Sequence, residues 1–369
     1  MHNMTERSGV RIVHLTTAHG PEDNRIVRKE CQALADSGYD VHLVARGPKQ
    51  RVAPGVEHHI LPTIPTRALR MLLGPAMGWL RALVLRPDIV HIHDPELVPL
   101  GAVASKILRQ RVIYDAHEDL ESQVFHKPYL PRRTRPIISR FARTIEKLAD
   151  RNVTAIVTVT QKVASKYQNE HLAIVRNYPL SGDYPAPKGD DSPNEKFTFG
   201  YVGAITEARG LVEMINATVN HRLVLVGPAD NAAQEHIDAA PPHVTYCGRR
   251  SPAEIPEIIG SFDAGLVLLH DLPNHRESIP TKLIEYMAGA KPFIATDFRA
   301  WRELVGVEGA GYFCNVADPR ACADAVEDLA RNPRRARNMG RVGRKAFEEK
   351  LTFGAEASKL IALYDALLA

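Results

Sequence analysis

The stretch Glu277-Ser-Ile-Pro-Thr-Lys-Leu-Ile-Glu-Tyr-Met-Ala-Gly-Ala-Lys-Pro292 decides how the chain is read. Pro280 suits a helix start, because its fixed φ is helical and its missing N–H is not needed there. Ser278 and Thr281 can cap or hydrate the free amides at that end. Leu283, Ile284 and Met287 form an apolar stripe at helical spacing, and Gly289 supplies a stop. After Pro292, Phe-Ile-Ala-Thr reads as a short buried strand. A helix that begins just past Glu277 has amides of partial positive charge, which suit an anion such as a phosphate. Lys282 adds a full charge in the first turn. Glu285 follows on the same helix face, where a carboxylate can bind a pair of ribose hydroxyls. Glu277, ahead of the helix, faces whatever hangs off the phosphate. An ordinary amphipathic helix with a solvated Lys–Glu pair has the same spacing, so the stretch alone leaves both readings open.

The rest of the chain narrows the choice. At 369 residues it is too long for one comfortable core, so two domains are expected. A content of 44% hydrophobic and 24% charged residues excludes a disordered chain. The net charge of +4 is too small to call for nucleic acid. Cys31, Cys247, Cys314 and Cys322 have no C-x-x-C spacing and read as buried free thiols in a reducing compartment. The first residues lack the apolar core of a signal peptide, and Arg, Pro or Gly breaks each long apolar stretch. A cytoplasmic protein is expected.

Val10–Thr16, a helical pattern over Asn24–Asp36 and a strand at Asp40–Ala45 make a βαβ start, the mark of a parallel doubly wound sheet. Further strands are expected at Val56–Leu61, Asp88–His93, Val112–Asp115, Ala155–Thr160 and Ala173–Val175. Helical patterns separate most of them, around 65–85, 97–109, 134–150 and 161–168. Residues 1–178 therefore read as one Rossmann-like domain. Residues 179–196 are rich in Pro, Gly, Asp and Ser and read as a linker. The strand-then-helix rhythm restarts at Phe197–Val202 and continues through a helix at Pro319–Arg331, so 197–350 reads as a second such domain. Residues 351–369 end in an amphipathic helix. Two α/β domains of this kind place their ligands at the carboxyl ends of their strands.

The two Glu of the opening stretch, with Pro-x-Lys-x-x-Glu-Tyr-Met-Ala within and after, resemble the donor-site signature of retaining GT-B glycosyltransferases of glycosyltransferase family 4. The loop Gly200-Tyr-Val-Gly-Ala-Ile-Thr-Glu-Ala-Arg-Gly210 resembles that family's Gly-containing loop. Arg209 takes the place of its basic residue, while Ala204 stands where a second Arg is common. The run Asp23-Asn-Arg-Ile26 resembles a bacterial branch that builds surface polysaccharides, although the Gly-Gly pair of many relatives is absent after the first strand. The resemblance covers nearly the whole chain.

It implies a GT-B fold, with two Rossmann-like domains facing across a cleft and a terminal helix that crosses back to the first domain. It implies a retaining, metal-independent glycosyltransferase that moves a sugar from a nucleoside diphosphate to an acceptor hydroxyl. The acceptor would be a glycan, a lipid-linked saccharide or a small molecule. The first domain would bind it and the second the nucleotide sugar. On this resemblance His117, just past a strand end, lies near the donor sugar, Glu277 holds the sugar hydroxyls and Glu285 the ribose. Arg209, Lys282 and the amides at Ser278–Ile279 hold the diphosphate, with Gly203 and Leu283 beside it. Arg249 and Arg250 bracket the base. Gly20, Arg25, Asp94 and Glu96 are acceptor-side candidates; for Arg25 a solvated position beside the cap Asp23 is the equal alternative. His91, His93, Asp94 and Glu96 invite a metal reading. Pro95 and the shared strand face of His91 and His93 argue against it, and neither a metal nor another cofactor is expected. The basic run from His126 to Arg143, with Tyr129, Ile137, Ile138 and Phe141 interleaved, fits either a solvated helix face or an anionic membrane at the inner face of the cell. Two other functions share this pattern: a nucleotide-sugar 2-epimerase and a non-catalytic nucleotide-binding subunit of a polysaccharide complex.

Overall fold

The computed structural model describes residues 7–48, 53–117, 120, 134–185, 196–276 and 278–369. Glu277 and residues 121–133, and with them the first part of the basic run, lie outside the described residues. The chain divides into two compact units. One is Met1–Asn177 together with Gly354–Ala369, and the other is Tyr178–Phe353.

In the first unit the strands are β1 (Arg11–Leu15), β2 (Asp40–Arg46), β3 (Val56–Leu61), β4 (Ile89–Ile92), β5 (Arg111–Ala116), β6 (Ala155–Thr158) and β7 (Leu172–Ile174). They form one parallel sheet in the order β3-β2-β1-β4-β5-β6-β7. Near-continuous runs such as Ala-Ile-Val-Thr in β6 are what a sheet covered on both faces requires. The order reverses direction between β1 and β4, so the loops after these two strands open the crevice where such sheets bind ligands.

The expected helix at 24–36 is present, but its first eight residues, Asn24–Cys31, wind as a π-helix before α1 (Gln32–Asp36). Such turns are rare and gather at functional sites. Asp23 caps it, since its Oδ1 accepts from Ile26 N at 2.9 Å. The same carboxylate pairs with His19 at 2.9 Å. Burial raises the Asp23 pKa, but His19 and the Ile26 amide outweigh it and hold it down to about 2. Asp23→Ala should cost about 1 kcal/mol by the usual worth of a cap. A depressed carboxylate stabilises above its unfolded pKa, and that contribution is lost as pH falls through the folded value. The difference between the two proteins in urea unfolding should therefore shrink as pH is lowered from 4 toward 2. A pH-independent difference would remove the charge from the account.

Helices α2 (Arg67–Val84), α3 (Val98–Ile107), α4 (Arg135–Asn152) and α5 (Gln161–Ala164) complete the crossovers. The α14 helix (Phe353–Leu368) contributes Gly354 onward to this unit. Its Asp365 accepts from Arg7 Nη2 and Tyr39 Oη, both at 2.6 Å, and its Glu356 accepts from Arg176 N at 2.9 Å.

The second unit has β8 (Thr198–Val202), β9 (Arg222–Val226), β10 (Val244–Tyr246), β11 (Ala264–Val267), β12 (Phe293–Thr296) and β13 (Gly311–Cys314), in the order β10-β9-β8-β11-β12-β13. Here the order reverses between β8 and β11. Its helices are α6 (Leu211–Ala217), α7 (Asn231–Asp238), α8 (Ile255–Gly260), α9 (Pro273–Arg276), α10 (Thr281–Ala288), α11 (Arg299–Val305), α12 (Pro319–Arg331) and α13 (Pro333–Lys350). Tyr178, expected at the end of the first domain, and Tyr184, expected in the linker, are both buried in this unit's core, so the start of the expected linker packs rather than hangs free. Cys247 is only half-buried, unlike the other three thiols.

Candidate functional site

In the second unit the loop after β8 is built by two glycines. Gly203 has φ +149° and Gly210 has φ +80°. A Cβ on Gly210 would lie 1.9 Å from Leu268 O, so only glycine fits where the loop is stitched against the end of β11. The bond from His270 N to Ala208 O, 2.9 Å, completes the stitch. Arg209 is thereby fixed, half-buried, at the point where the sheet order reverses, and no ion pair holds its guanidinium among the described residues.

Helix α10 meets the same loop. A Cβ on Gly203 would come within 3.1 Å of Lys282 Cε, so the lysine stem lies across that glycine. Lys282 Nζ is 4.0 Å from Glu285 Oε2, a loose pair. Glu285 Oε2 is buried and has no hydrogen-bond partner among the described residues. A buried carboxylate oxygen left unpaired is costly, and the cost disappears when a ligand hydroxyl donates to it. The segment leading into α10 is pinned by the fully buried Trp301, whose Nε1 donates to Ser278 O at 2.9 Å.

Two expectations need correction here. Ser278 N is already spent on His275 O at 3.2 Å, so it is not a spare amide for a phosphate. The Leu283 side chain is fully buried in the core, which leaves only its backbone near the loop. Arg249 and Arg250 are exposed after β10, and Arg250 lies 3.8 Å from Glu254. A cavity of about 610 Å³ at the end of β12 contains none of the candidate residues. Two of its cations, Arg276 and Arg299, are already paired with Asp271 and Glu303.

In the first unit the acceptor-side candidates turn inward. Asp94 staples the loop after β1: its Oδ2 accepts from Thr16 Oγ1 (2.8 Å), Thr17 N (2.6 Å) and Ala18 N (3.1 Å). Glu96 accepts from Arg70 Nη1 at 2.9 Å and Thr17 Oγ1 at 3.0 Å. Gly20 lies in the same loop, close against Glu22. Arg25 is neither solvated nor open to a ligand. It is buried, and donates from Nε and Nη2 to Asp115 Oδ2 and Oδ1 (3.0 and 2.9 Å) and from Nη1 to Val175 O (3.1 Å).

Asp115 anchors a chain of neutral rings that sequence reading did not find. His93 Nδ1 is 3.2 Å from Asp115 Oδ2, and His93 Nε2 is 2.9 Å from His14 Nδ1. His14 Nε2 is 3.4 Å from Tyr364 Oη, and Tyr364 Oη is 2.8 Å from His91 Nδ1. Burial drives the pKa of all three rings down, so they are neutral. A carboxylate can only accept, which sets every proton in turn. His93 donates to Asp115, His14 to His93, Tyr364 to His14, and His91 to Tyr364. The order leaves His91 Nε2 as an acceptor, and it has no partner among the described residues.

Glu30 lies beside this end of the chain, fully buried. Its Oε1 is 3.0 Å from Arg25 Nη2 but outside hydrogen-bond geometry. Burial pushes Glu30 up to about 8, against the pull of Arg25 and with the push of Asp115. Asp115 moves the other way: Arg25 and His117 outweigh its burial and hold it well below the usual range. One carboxylate is ionised and the other keeps its proton, as expected for two acids around one cation. His14, Glu30, His91 and His93 each bring a ligand atom within 4.8 Å of the others, and could gather around a cation at the expense of the His14–His93 hydrogen bond. His117, about one-fifth exposed at the end of β5, sits 3.3 Å from Asp115 Oδ2 through Nδ1. That contact places a proton on Nδ1.

Comparison with known proteins agrees with this anatomy. Residues 24–175 match the model for Glycosyltransferase Family 4, and residues 186–346 match that for Glycosyl transferases group 1. A capsular polysaccharide biosynthesis glycosyltransferase, CapM of Staphylococcus aureus, is 21% identical, with 97% of each chain covered. Among solved structures, sucrose-phosphate synthase of Thermosynechococcus elongatus superposes with a TM-score of 0.77 at 17% identity, covering 97% of this chain and 99% of that one. HepE of Anabaena, in complex with UDP, gives 0.69 at 14%, covering 97% and 99%. Two α/β units, each with a parallel sheet and each matched by a glycosyltransferase model, make this chain a glycosyltransferase of the GT-B fold.

Proposed function

We propose that the protein is a retaining glycosyltransferase that takes a sugar from a nucleoside diphosphate and passes it to the hydroxyl of a glycan or lipid-linked saccharide, with no divalent ion in the reaction. The observation that carries the donor half is the buried, unpartnered Oε2 of Glu285, 4.0 Å from Lys282. A ribose hydroxyl satisfies that oxygen while Lys282 and Arg209 take the diphosphate. The complexes of HepE with UDP and with UDP-glucose support a donor of this class. Glu277, ahead of α10 in the chain, holds the sugar hydroxyls. As the glycosidic bond breaks, negative charge grows on the leaving phosphate, and two fixed cations stabilise it there. The acceptor oxygen attacks on the face the phosphate leaves, and the phosphate takes its proton. CapM, a capsular polysaccharide enzyme, supports a saccharide acceptor.

The test is a thermal-shift comparison of UDP, GDP, ADP and dTDP on wild type and Glu285→Gln. One nucleotide should raise Tm by an amount that follows RT ln(1 + [L]/Kd). In Glu285→Gln its Kd should rise about tenfold, the worth of a hydrogen bond to a charged group. Equal shifts in both proteins would take the ribose away from Glu285.

A further inference from the structure

A second group of histidines lies apart from the ring chain that ends on Asp115. Strand β3 is an edge of the first sheet, and its Glu57 and His59, two residues apart, share a face. The register sets His42 of β2 beside Glu57. The three side chains therefore meet on one side of two neighbouring strands. His42 and His59 are buried, while the Glu57 side chain is 67% exposed.

Their spacing is that of a coordination shell. His42 Nδ1 lies 2.9 Å from His59 Nε2. Glu57 Oε2 lies 3.5 Å from His42 Nδ1, and its Oε1 lies 3.6 Å from His59 Nε2. At those lengths the carboxylate makes no good hydrogen bond to either ring. Atoms bound tetrahedrally at ordinary zinc–nitrogen and zinc–oxygen lengths stand about 3.3 Å apart, so an ion fits with small shifts.

The surrounding groups prepare the lone pairs. His42 Nε2 is 3.1 Å from Asp40 Oδ1, short of hydrogen-bond geometry but close enough to favour a proton on that nitrogen. Asp40 Oδ2 accepts from Arg11 Nε at 2.7 Å, which holds the carboxylate in place. The His42 Nδ1 lone pair then points toward His59 and Glu57. An ion on Nδ1 makes the Nε2 proton more acidic and strengthens its contact with Asp40, the carboxylate–histidine–metal arrangement that supports bound zinc. Without an ion, His59 Nε2 donates to His42 Nδ1, and Arg81 Nη2 donates to His59 Nδ1 at 3.4 Å. With an ion, the His59 proton moves to Nδ1 and the exposed Arg81 turns away.

We propose that His42, Glu57 and His59 bind one divalent transition-metal ion of the zinc type, with the fourth position left to water. Two imidazoles and a carboxylate select such an ion over Mg2+ or Ca2+, which favour oxygen alone. The ion clips an edge strand, open on its outer side, to the body of the sheet. His42 and Glu57 stand near the amino ends of their strands, whereas the ligand crevice opens at the carboxyl ends. The ion therefore takes no part in glycosyl transfer, and the inference does not rest on the donor-site reading.

The experiment is equilibrium dialysis of the full, untagged chain against Zn2+ with Mg2+ in excess, and thermal unfolding in Zn2+ and in EDTA. Wild type should hold one Zn2+ per chain that Mg2+ does not displace, and its Tm should rise with free Zn2+, as binding to the folded state requires. Glu57→Gln should weaken that ion at least about tenfold. Its Tm in EDTA should match wild type, because the side chain it replaces is mostly exposed. Arg81→Ala should tighten the ion roughly twofold to fivefold, the size of an exposed charge interaction, because no cation then opposes the His59 proton on Nδ1. A merely structural histidine pair would not move in these opposite directions. No bound Zn2+, displacement by Mg2+, or looser binding in Arg81→Ala would each overturn the proposal. So would wild-type affinity in Glu57→Gln, which would give the ion to the other group, His14, Glu30, His91 and His93.

Discussion

Lys282→Ala is expected to lower kcat/KM for glycosyl transfer by about 100- to 1,000-fold, with most of the loss in kcat. The lysine stem lies across Gly203, which has no side chain to displace it, and the ammonium is held within 4.0 Å of Glu285. A charge fixed in this way needs no reorganisation when the leaving diphosphate becomes more negative. Removing one such donor costs about 10²–10³ in rate elsewhere. The ground state is already anionic, so some binding is lost as well, but the difference between the two states is what appears in kcat. Arg209 should behave alike and add little once Lys282 is gone, because groups acting on one developing charge are not additive. If a divalent ion did this work instead, EDTA would abolish wild-type turnover and Lys282→Ala would cost little. The expected result is the reverse: turnover unaffected by EDTA and a large loss on substitution. Steady-state rates with and without chelator decide it.

The parts of the fold that were legible in the sequence are those with a local cause. β-branched runs gave β1, β2, β5 and β6, because a strand covered on both faces has to be apolar along its length. Lys282 and Glu285 could be paired because a helix brings such neighbours together wherever it sits. The misses have distant causes. Helix α13, with Gly340 and Gly343 among many arginines, is an element that the sequence patterns did not announce. Yet a Cβ on Gly340 would fall 2.0 Å from Ala290 O, so glycine is there to let the helix approach the end of α10. Packing overrode propensity. The π-helical turns at Asn24–Cys31 share their apolar spacing with an ordinary helix, so no pattern announces them. Arg25 read as either cleft-facing or solvated, because its partner, Asp115, is ninety residues away in sequence. Tyr364, on the last helix, reaches His91 and His14 from still further off. The alternation of β4 did put His91 and His93 on one face, and their rings lie 4.6 Å apart. What the alternation could not supply was the acceptor that orders their protons.

That acceptor is where substitution should hurt stability most. Asp115→Ala leaves the Arg25 guanidinium buried without its bidentate partner, and breaking such a pair costs about 3–5 kcal/mol. The loss would reach further than the pair, since His93 and His117 also lose the carboxylate that fixes their tautomers. The double substitution Arg25→Met/Asp115→Leu removes both charges and should recover a large part of the loss, because an apolar pair of similar volume needs no solvation. Trp79 belongs to the first unit and Trp301 to the second, and the chain has no other tryptophan. Urea unfolding followed by fluorescence in a Trp301→Phe background therefore reports on the unit in question. Glu30 supplies the competing outcome. It lies 3.0 Å from Arg25 and holds its proton up to about pH 8 because it is fully buried, with the charge of Asp115 adding to the push. Were Glu30 to ionise and take over the guanidinium in Asp115→Ala, the loss would fall to about 1 kcal/mol. The stability of that variant would then be flat between about pH 4.5 and 8, where wild type, whose Glu30 gives up its proton on unfolding, declines. A loss of several kcal/mol in the single variant, with most of it recovered in the double, is the result that makes Asp115 the group on which the arginine and the ring chain both depend.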